Sequence, residues 1–496
     1  MKQILSFFLL ALGFLPAVSQ TVGIGTTTPN SSAILDVQSS TKGILVPRIA
    51  LTAANSATPV TAPADALLVY NTATAGTGSN AIVPGFYYWN TSAGRWSAMK
   101  ETVTTNSVGF GSWGDCSMNN ISEYNPVVDA NGAAGDQFGK SVSISGNYAI
   151  VGAEQDDVGA NADQGSASIY QYIGTNWVFM QKITDATGAA GDLYGASVSI
   201  SGNYAIVGAW ADNVGGNAIQ GSASIYQYVG GNWVLMQKII DATGAAGDAF
   251  GYSVSISGNY AIVGAFYDDV GVNADQGSAS IYQYIGGNWV LMNKVTDATG
   301  AVSDWFGRSV SISGNYAIAG ANHDDVGANV NQGSASIYQY NGTNWVLMNK
   351  ITDATGAADD NFGNSVSISG NYSIVGAHRA GSASIYQYNG SNWVLMQKIS
   401  GSSSDYFGFS VSISGSYAII GAYLGDVGGN ADQGSASIYQ RVGLGWQKLQ
   451  YITDPGGTEN NYFGYSTAID GSTKRFLIGA WVYGSNSGKA VFGKVN

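Results

Sequence analysis

From residue 138 onward, apolar and hydroxyl side chains alternate in short runs. Val142 and Ile144 fall on one side, Ser141 and Ser143 on the other, and this period of two predicts a half-buried β-strand. Gly146-Asn147 follows, a pair that tolerates positive φ and makes a tight hairpin. Residues 148–153 are the second predicted strand, and a polar loop over 154–163 leads to a third at 166–172. Residues 174–176 turn the chain into a fourth strand at 177–183, and 184–192 carry it onward.

The unit then recurs. A Phe-Gly or Tyr-Gly step begins at residues 138, 194, 250, 306, 362, 407 and 463. Gly-Ala follows each time, at Gly152, Gly208, Gly264, Gly320, Gly376, Gly421 and Gly479. Units this short stack into one body rather than folding singly. A lone four-stranded sheet leaves both faces bare, and radial stacking buries them while limiting exposed edges. The expected fold class is all-β: a seven-bladed β-propeller of four-stranded antiparallel blades, preceded by a small β-rich N-terminal module. The aromatic of each Phe-Gly step and Trp177, Trp233, Trp289, Trp345, Trp393 and Trp446 are the expected packers between blades. Small Gly and Ala residues would let backbones approach where blades crowd.

The seventh copy ends in its third strand and has no Trp strand. Residues 120–128 lie just before the first copy, and 129–136 closely match 185–192. The segment 120–128 is therefore expected to supply the outer strand of the last blade and close the ring. Pro126 is tolerable there, because an outermost strand has one unpaired edge.

Upstream, residues 1–19 read as an export signal: Lys2, an apolar run from Ile4 to Leu15, then Ala17-Val18-Ser19. That run is too short to span a bilayer, so no membrane insertion is expected. Residues 20–100 carry short apolar runs between Thr, Ser, Gly and Pro and predict a β-rich module. Residues 101–119 read as a linker and 120–496 as the propeller. Cys116 is the one cysteine, so an intrachain disulfide is excluded.

Charged residues are only 10% of the chain, and the net charge is −13. Nucleic acid is excluded as a partner, because phosphate binding needs clustered Lys and Arg. Most of the 32 acids fall in two loop types, the one joining strands two and three and the one joining blades. Both emerge on one face. An acidic face can attract cations or a basic partner, and it can equally consist of Asp and Asn that only make turns.

Phe138-Gly139 with Val151-Gly152-Ala153, repeated seven times, and the run from Gln164 to Tyr170 resemble the FG-GAP repeat proteins. These are bacterial relatives of the integrin α-subunit propeller. The resemblance implies an extracellular seven-bladed propeller and, more loosely, binding or adhesion. Many relatives bind calcium in an acidic loop between the first two strands. Here that loop is only Ser145-Gly146-Asn147, too short for the 6–8 oxygens calcium takes. The family's metal sites are not carried over and no cofactor is expected, beyond weak calcium binding by the acidic loops. Residues 20–100 resemble a leader module of secreted bacterial surface proteins and tail-fibre-like proteins, which implies attachment or assembly.

Trp210, Phe266, Tyr267 and Tyr423 sit just after the Gly-Ala step in different blades and are the candidate ligand face, the alternative being ordinary packing of the blades. Copy five is shortened, and its loop His378-Arg379-Ala380 is basic where its neighbours are acidic; this reads either as a notch for an anion or sugar or as a chance deletion in a tolerant loop. No Cys/His cluster has metal spacing and no nucleophile–base set stands out, so no catalytic residue is assigned. The expected function is a secreted or cell-surface protein presenting a loop face to an extracellular protein or glycan. The alternatives are a structural matrix component without a discrete ligand and a carbohydrate-active enzyme. The oligomeric state is left open.

Overall fold

In a computed structural model the chain divides into two compact units, Met1–Trp113 and Gly114–Asn496. The structure describes residues 22–24, 35–37, 39, 41, 44–77, 80–91, 94–98 and 122–495. The export signal, Cys116 and the linker lie outside the described residues.

The first unit holds a mixed sheet. Arg48–Ile49 runs parallel to Leu68–Asn71, which pairs antiparallel with Gly85–Asn90, and that strand with Arg95–Ala98. Leu51, Val69, Ile82, Tyr87 and Trp96 form its core. Asn71 is buried there, accepting from the Leu51 amide at 3.0 Å and donating to the carbonyls of Ala73 and Val83 at 2.8 Å. A buried amide satisfied this fully pins the chain locally. A separate parallel pair joins Val22–Ile24 to Leu35–Val37.

The second unit is seven four-stranded antiparallel sheets in chain order. Blade one is Ser141–Ser145, Tyr148–Ala153, Ser166–Ile173 and Asn176–Ile183. The innermost strand of every blade packs beside that of the next, and Ser466–Asp470 of blade seven packs beside Ser141–Ser145 of blade one. The ring is closed. Ser122–Val127 pairs antiparallel with Lys489–Lys494 as the outer strand of blade seven.

Three devices join neighbouring blades. Apolar residues form the first. Ile150, Ile169 and Ile183 of blade one pack with Tyr194, Val207, Tyr226 and Trp233 of blade two, and equivalent clusters recur around the ring. Trp233 meets Tyr148 edge-on at 5.6 Å, as Trp289 meets Tyr204. At the closing seam Trp177 instead stacks on Phe492 at 4.4 Å.

The serines of the alternating strands form the second device. Ser143 Oγ accepts from the Ile200 amide at 3.1 Å, Ser199 from Ile256 and Ser255 from Ile312. One blade's hydroxyls thus satisfy the inner-strand amides of the next, which no backbone partner reaches. Two residues further on, Ser145 accepts from the Gly202 amide at 3.2 Å, and blade seven uses Asp470 at that place, accepting from the Gly146 amide of blade one.

The third device explains the repeated motif. Gly152 lies against the carbonyl of Gly195, Gly208 against Gly251, and so on to Gly479 against Gly139. The glycine of the Gly-Ala step in one blade meets the glycine of the Phe-Gly step in the next, at a distance that leaves no room for a Cβ.

Candidate functional site at the propeller axis

The residue after each Phe-Gly step stands at the start of an inner strand, on the face carrying the long loops. These seven residues are Lys140, Ala196, Tyr252, Arg308, Asn364, Phe409 and Tyr465. All seven line one cavity of about 290 Å³, together with Glu154 and Trp210. A cavity to which every blade contributes one residue is the axial mouth of the ring. The residue before each Phe-Gly step is held at positive φ, from +54° at Tyr406 to +59° at Trp305. Bulky side chains rarely take that region, and the ring imposes it in every blade.

Two aromatic arcs surround the mouth. In blades two to four, Trp210 meets Tyr252 at 6.0 Å, Tyr252 meets Phe266 at 4.3 Å, and Trp305 stacks on His323 at 3.6 Å. In blades six and seven, Tyr423 contacts Tyr406, Phe409, Tyr462 and Tyr465, and Trp481 lies beside Tyr465 at 5.7 Å. The arcs are joined through blade one by polar groups. Lys140 Nζ is 2.6 Å from Glu154 Oε1 and 2.8 Å from Gln137 Oε1, and it sits over the Trp481 ring at 4.8 Å.

The sequence-predicted residues divide between the arcs. Trp210 lines the cavity and is half-buried. Phe266 is only 3% exposed and backs Tyr252, Tyr267 and Trp305 rather than offering a surface. Tyr267 is half-buried beside Trp305. Tyr423 is half-buried at the centre of the second arc, and burial pushes its hydroxyl up to about 12. In the shortened fifth copy Arg379 is exposed, but His378 turns inward and packs edge-on against Tyr406 and Phe409. Burial, then the charges of Arg379 and Arg308, holds His378 at about 4, so it is neutral at neutral pH and the notch carries only the charge of Arg379. Sequence reasoning missed the residue after each Phe-Gly step. The available signal was variation: this position changes at almost every blade while its neighbours repeat.

The acidic face is partly neutralised from within, one lysine to two aspartates, and stays net negative. Lys238 Nζ lies 2.7 Å from Asp185 and 2.6 Å from Asp212, and Lys294 bridges Asp241 to Asp268 in the same way. Each such lysine joins the loop entering its blade to the loop between strands two and three. Burial pushes Asp185 upward, but the hydrogen bonds from Lys238 and Thr187 outweigh it and its carboxyl titrates below the usual range. Asp297, Asp304 and Asp324 bring carboxylate oxygens within 4.8 Å of one another. Lys350 Nζ sits 2.6 Å from both Asp297 and Asp324, filling the place a cation would take. Asp157 Oδ1 accepts the Asp163 amide at 2.9 Å, closing its own loop.

The FG-GAP repeat matches residues 122–170, 177–226, 233–282, 289–338, 345–395 and 393–439. A phage tail like trimerisation region matches residues 23–109. Among curated proteins none matches. Solved structures similar to the chain include one in the Mitotic Checkpoint Complex, at 12% identity and TM-score 0.48 over 79% of this chain and all of that one. The Myceliophteria thermophila Cps50 (Swd1) β-propeller domain is similar at 10% identity and TM-score 0.49, over 75% of this chain and all of that one. Among the described residues no helix is long and apolar enough to cross a membrane. The three inner strands of the seventh blade fall outside the matched repeats, yet its Phe463-Gly464 and Gly479-Ala480 hold the same places in the ring. Matched by the repeat over more than half its length, the chain belongs to the FG-GAP repeat family.

Proposed function

We propose that this is a secreted or cell-surface binding protein that engages an extracellular glycan or protein through the axial mouth of its propeller. The observation that carries the reading is where the blades differ. Strand cores, turns and inter-blade lysines repeat almost unchanged, whereas the residues at the mouth run Lys, Ala, Tyr, Arg, Asn, Phe and Tyr. Stacking needs only sameness. A surface varied at one place and rich in half-buried aromatics suits recognition. The match to a trimerisation region supports self-association, and three mouths on one assembly would raise avidity without any new contact. Binding rather than catalysis is supported by the mouth's composition, since the Glu154 carboxylate there is held by Lys140.

The test is a glycan and extracellular-protein array probed with the whole protein and with Ala196→Trp, which fills the mouth without removing a contact. Binding that disappears in the variant at an unchanged melting temperature supports the proposal. Binding that survives the plug places the ligand elsewhere and defeats it. An array with no binder favours the structural alternative.

A further inference from the structure

We propose that the mouth selects saccharides carrying a carboxylate, and that Arg308 reads that carboxylate; this rests on the reading of the mouth as the binding site. Lys140, Glu154 and Arg308 are the charged residues lining the cavity. Lys140 and Glu154 neutralise each other at 2.6 Å. Arg308 forms no ion pair among the described residues, so an unbalanced cation stands in the mouth of a protein of net charge −13.

Its surroundings hold it ready. The guanidinium lies 5.1 Å from the Tyr252 ring and 5.5 Å from those of Phe266 and Trp305. Those contacts fix its plane, as arginine stacking on aromatics does. Nη1 donates to Tyr252 Oη at 2.9 Å, and the buried Nε finds no partner. Nε is shielded from the mouth, whereas Nη2 makes no hydrogen bond among the described residues and is left for an acceptor there. A carboxylate takes a guanidinium through two parallel bonds. Tyr252 Oη, accepting from Arg308, keeps its own proton to donate to the same ligand.

The walls favour a sugar over a peptide. Trp210, Tyr252, Phe409 and Tyr465 offer ring surface to the C–H face of a pyranose. Asn364 spends one amide hydrogen on the Phe409 carbonyl at 3.3 Å and keeps its own oxygen as an acceptor for hydroxyls. The cavity is near the lower limit for small-molecule sites, the size of a chain end. A peptide adding as a strand would need a free inner edge, but the serine ladder occupies those amides.

Titration calorimetry with matched pairs tests this: sialyllactose against lactose, and a glucuronate-terminated disaccharide against its glucose-terminated counterpart. A charge-assisted pair predicts an acidic preference of about 10- to 100-fold, shrinking with added salt. Arg308→Gln should abolish the preference while neutral-sugar binding persists. Ala196→Asp, which removes no contact, should also abolish it and guards against misfolding of the first variant. Equal affinity for acidic and neutral sugars, or a preference that survives both variants, overturns the inference. If sugars then still bind and Ala196→Trp blocks them, the wider reading of the mouth stands. Capture of acidic peptides with no saccharide binding also overturns it.

Discussion

A Cβ placed on Gly152 would lie 2.0 Å from the carbonyl oxygen of Gly195 in the next blade. The two glycines belong to the two halves of the repeated motif, and the contact recurs at every seam. Gly152→Ala or Gly208→Ala should therefore force backbone apart, destabilising the propeller by at least the ~1–3 kcal/mol of an overpacked core. Gly146, at φ +58° in an open hairpin turn, meets nothing within 4 Å. Gly146→Ala should lose only about 1 kcal/mol of backbone preference. Denaturant melts comparing the two substitutions check the contrast, and equal losses would refute it.

The closing strand makes the second prediction. Glu123 Oε2 lies 3.2 Å from Arg475 Nε, its Oε1 is 3.2 Å from Lys494 Nζ, and Tyr124 donates to Asp454 at 2.9 Å. Deleting residues 120–128 should expose the edge of Lys489–Lys494 and sharply lower the melting temperature. Retained stability in the deletion variant would mean that the ring closes by other contacts.

The lysine girdle makes the third. Lys238→Met strands Asp185 and Asp212, each nearly buried, and breaking such a pair typically costs about 3–5 kcal/mol. Lys238 itself is partly exposed, so solvent screening should hold the loss to the lower part of that range. Lys398 pairs with Asp353 alone, because the shortened copy lacks the second acid. Lys398→Met should be milder, and adding Asp212→Asn to Lys238→Met should recover part of the loss. Chemical denaturation of the four proteins measures all three effects.

The fourth concerns pH. Burial, then the charges of the neighbouring aspartates, pushes Asp248 and Asp304 up to about 6. The folded state thus holds their protons more tightly than the unfolded state, whose carboxyls titrate near 3.9. Their contribution is largest below about pH 4 and falls as pH rises toward 6. Asp185 and Asp241, held below the usual range, act in the opposite sense and lose their contribution as pH falls. Asp304→Asn and Asp248→Asn should therefore raise the melting temperature at pH 7.5 more than at pH 4.5. A pH-independent effect would show that these carboxyls titrate normally.

Much of this protein was written in one dimension. A period of two in Ser141–Ser145, a turn at Gly146-Asn147 and a unit that recurs are local properties, because side-chain alternation and turn chemistry need no distant partner. The missing strand of blade seven was legible too, since counting strands per copy showed what residues 120–128 had to supply. Only the tertiary structure decided what those strands do to one another. Ser143 reads as a solvent-facing alternate until the Ile200 amide of the next blade is seen bonded to it. The aspartates read as uncompensated charge until Lys238, Lys294 and Lys350 are found among them, each contributed from a strand more than 50 residues from one of its partners. The mouth is the clearest case. Lys140, Tyr252, Arg308 and Tyr465 are spread over more than 300 residues, and only closure of the ring brings them to one axis. Local sequence fixes the blade because its hydrogen bonds are near neighbours; the site exists only once seven blades share a centre.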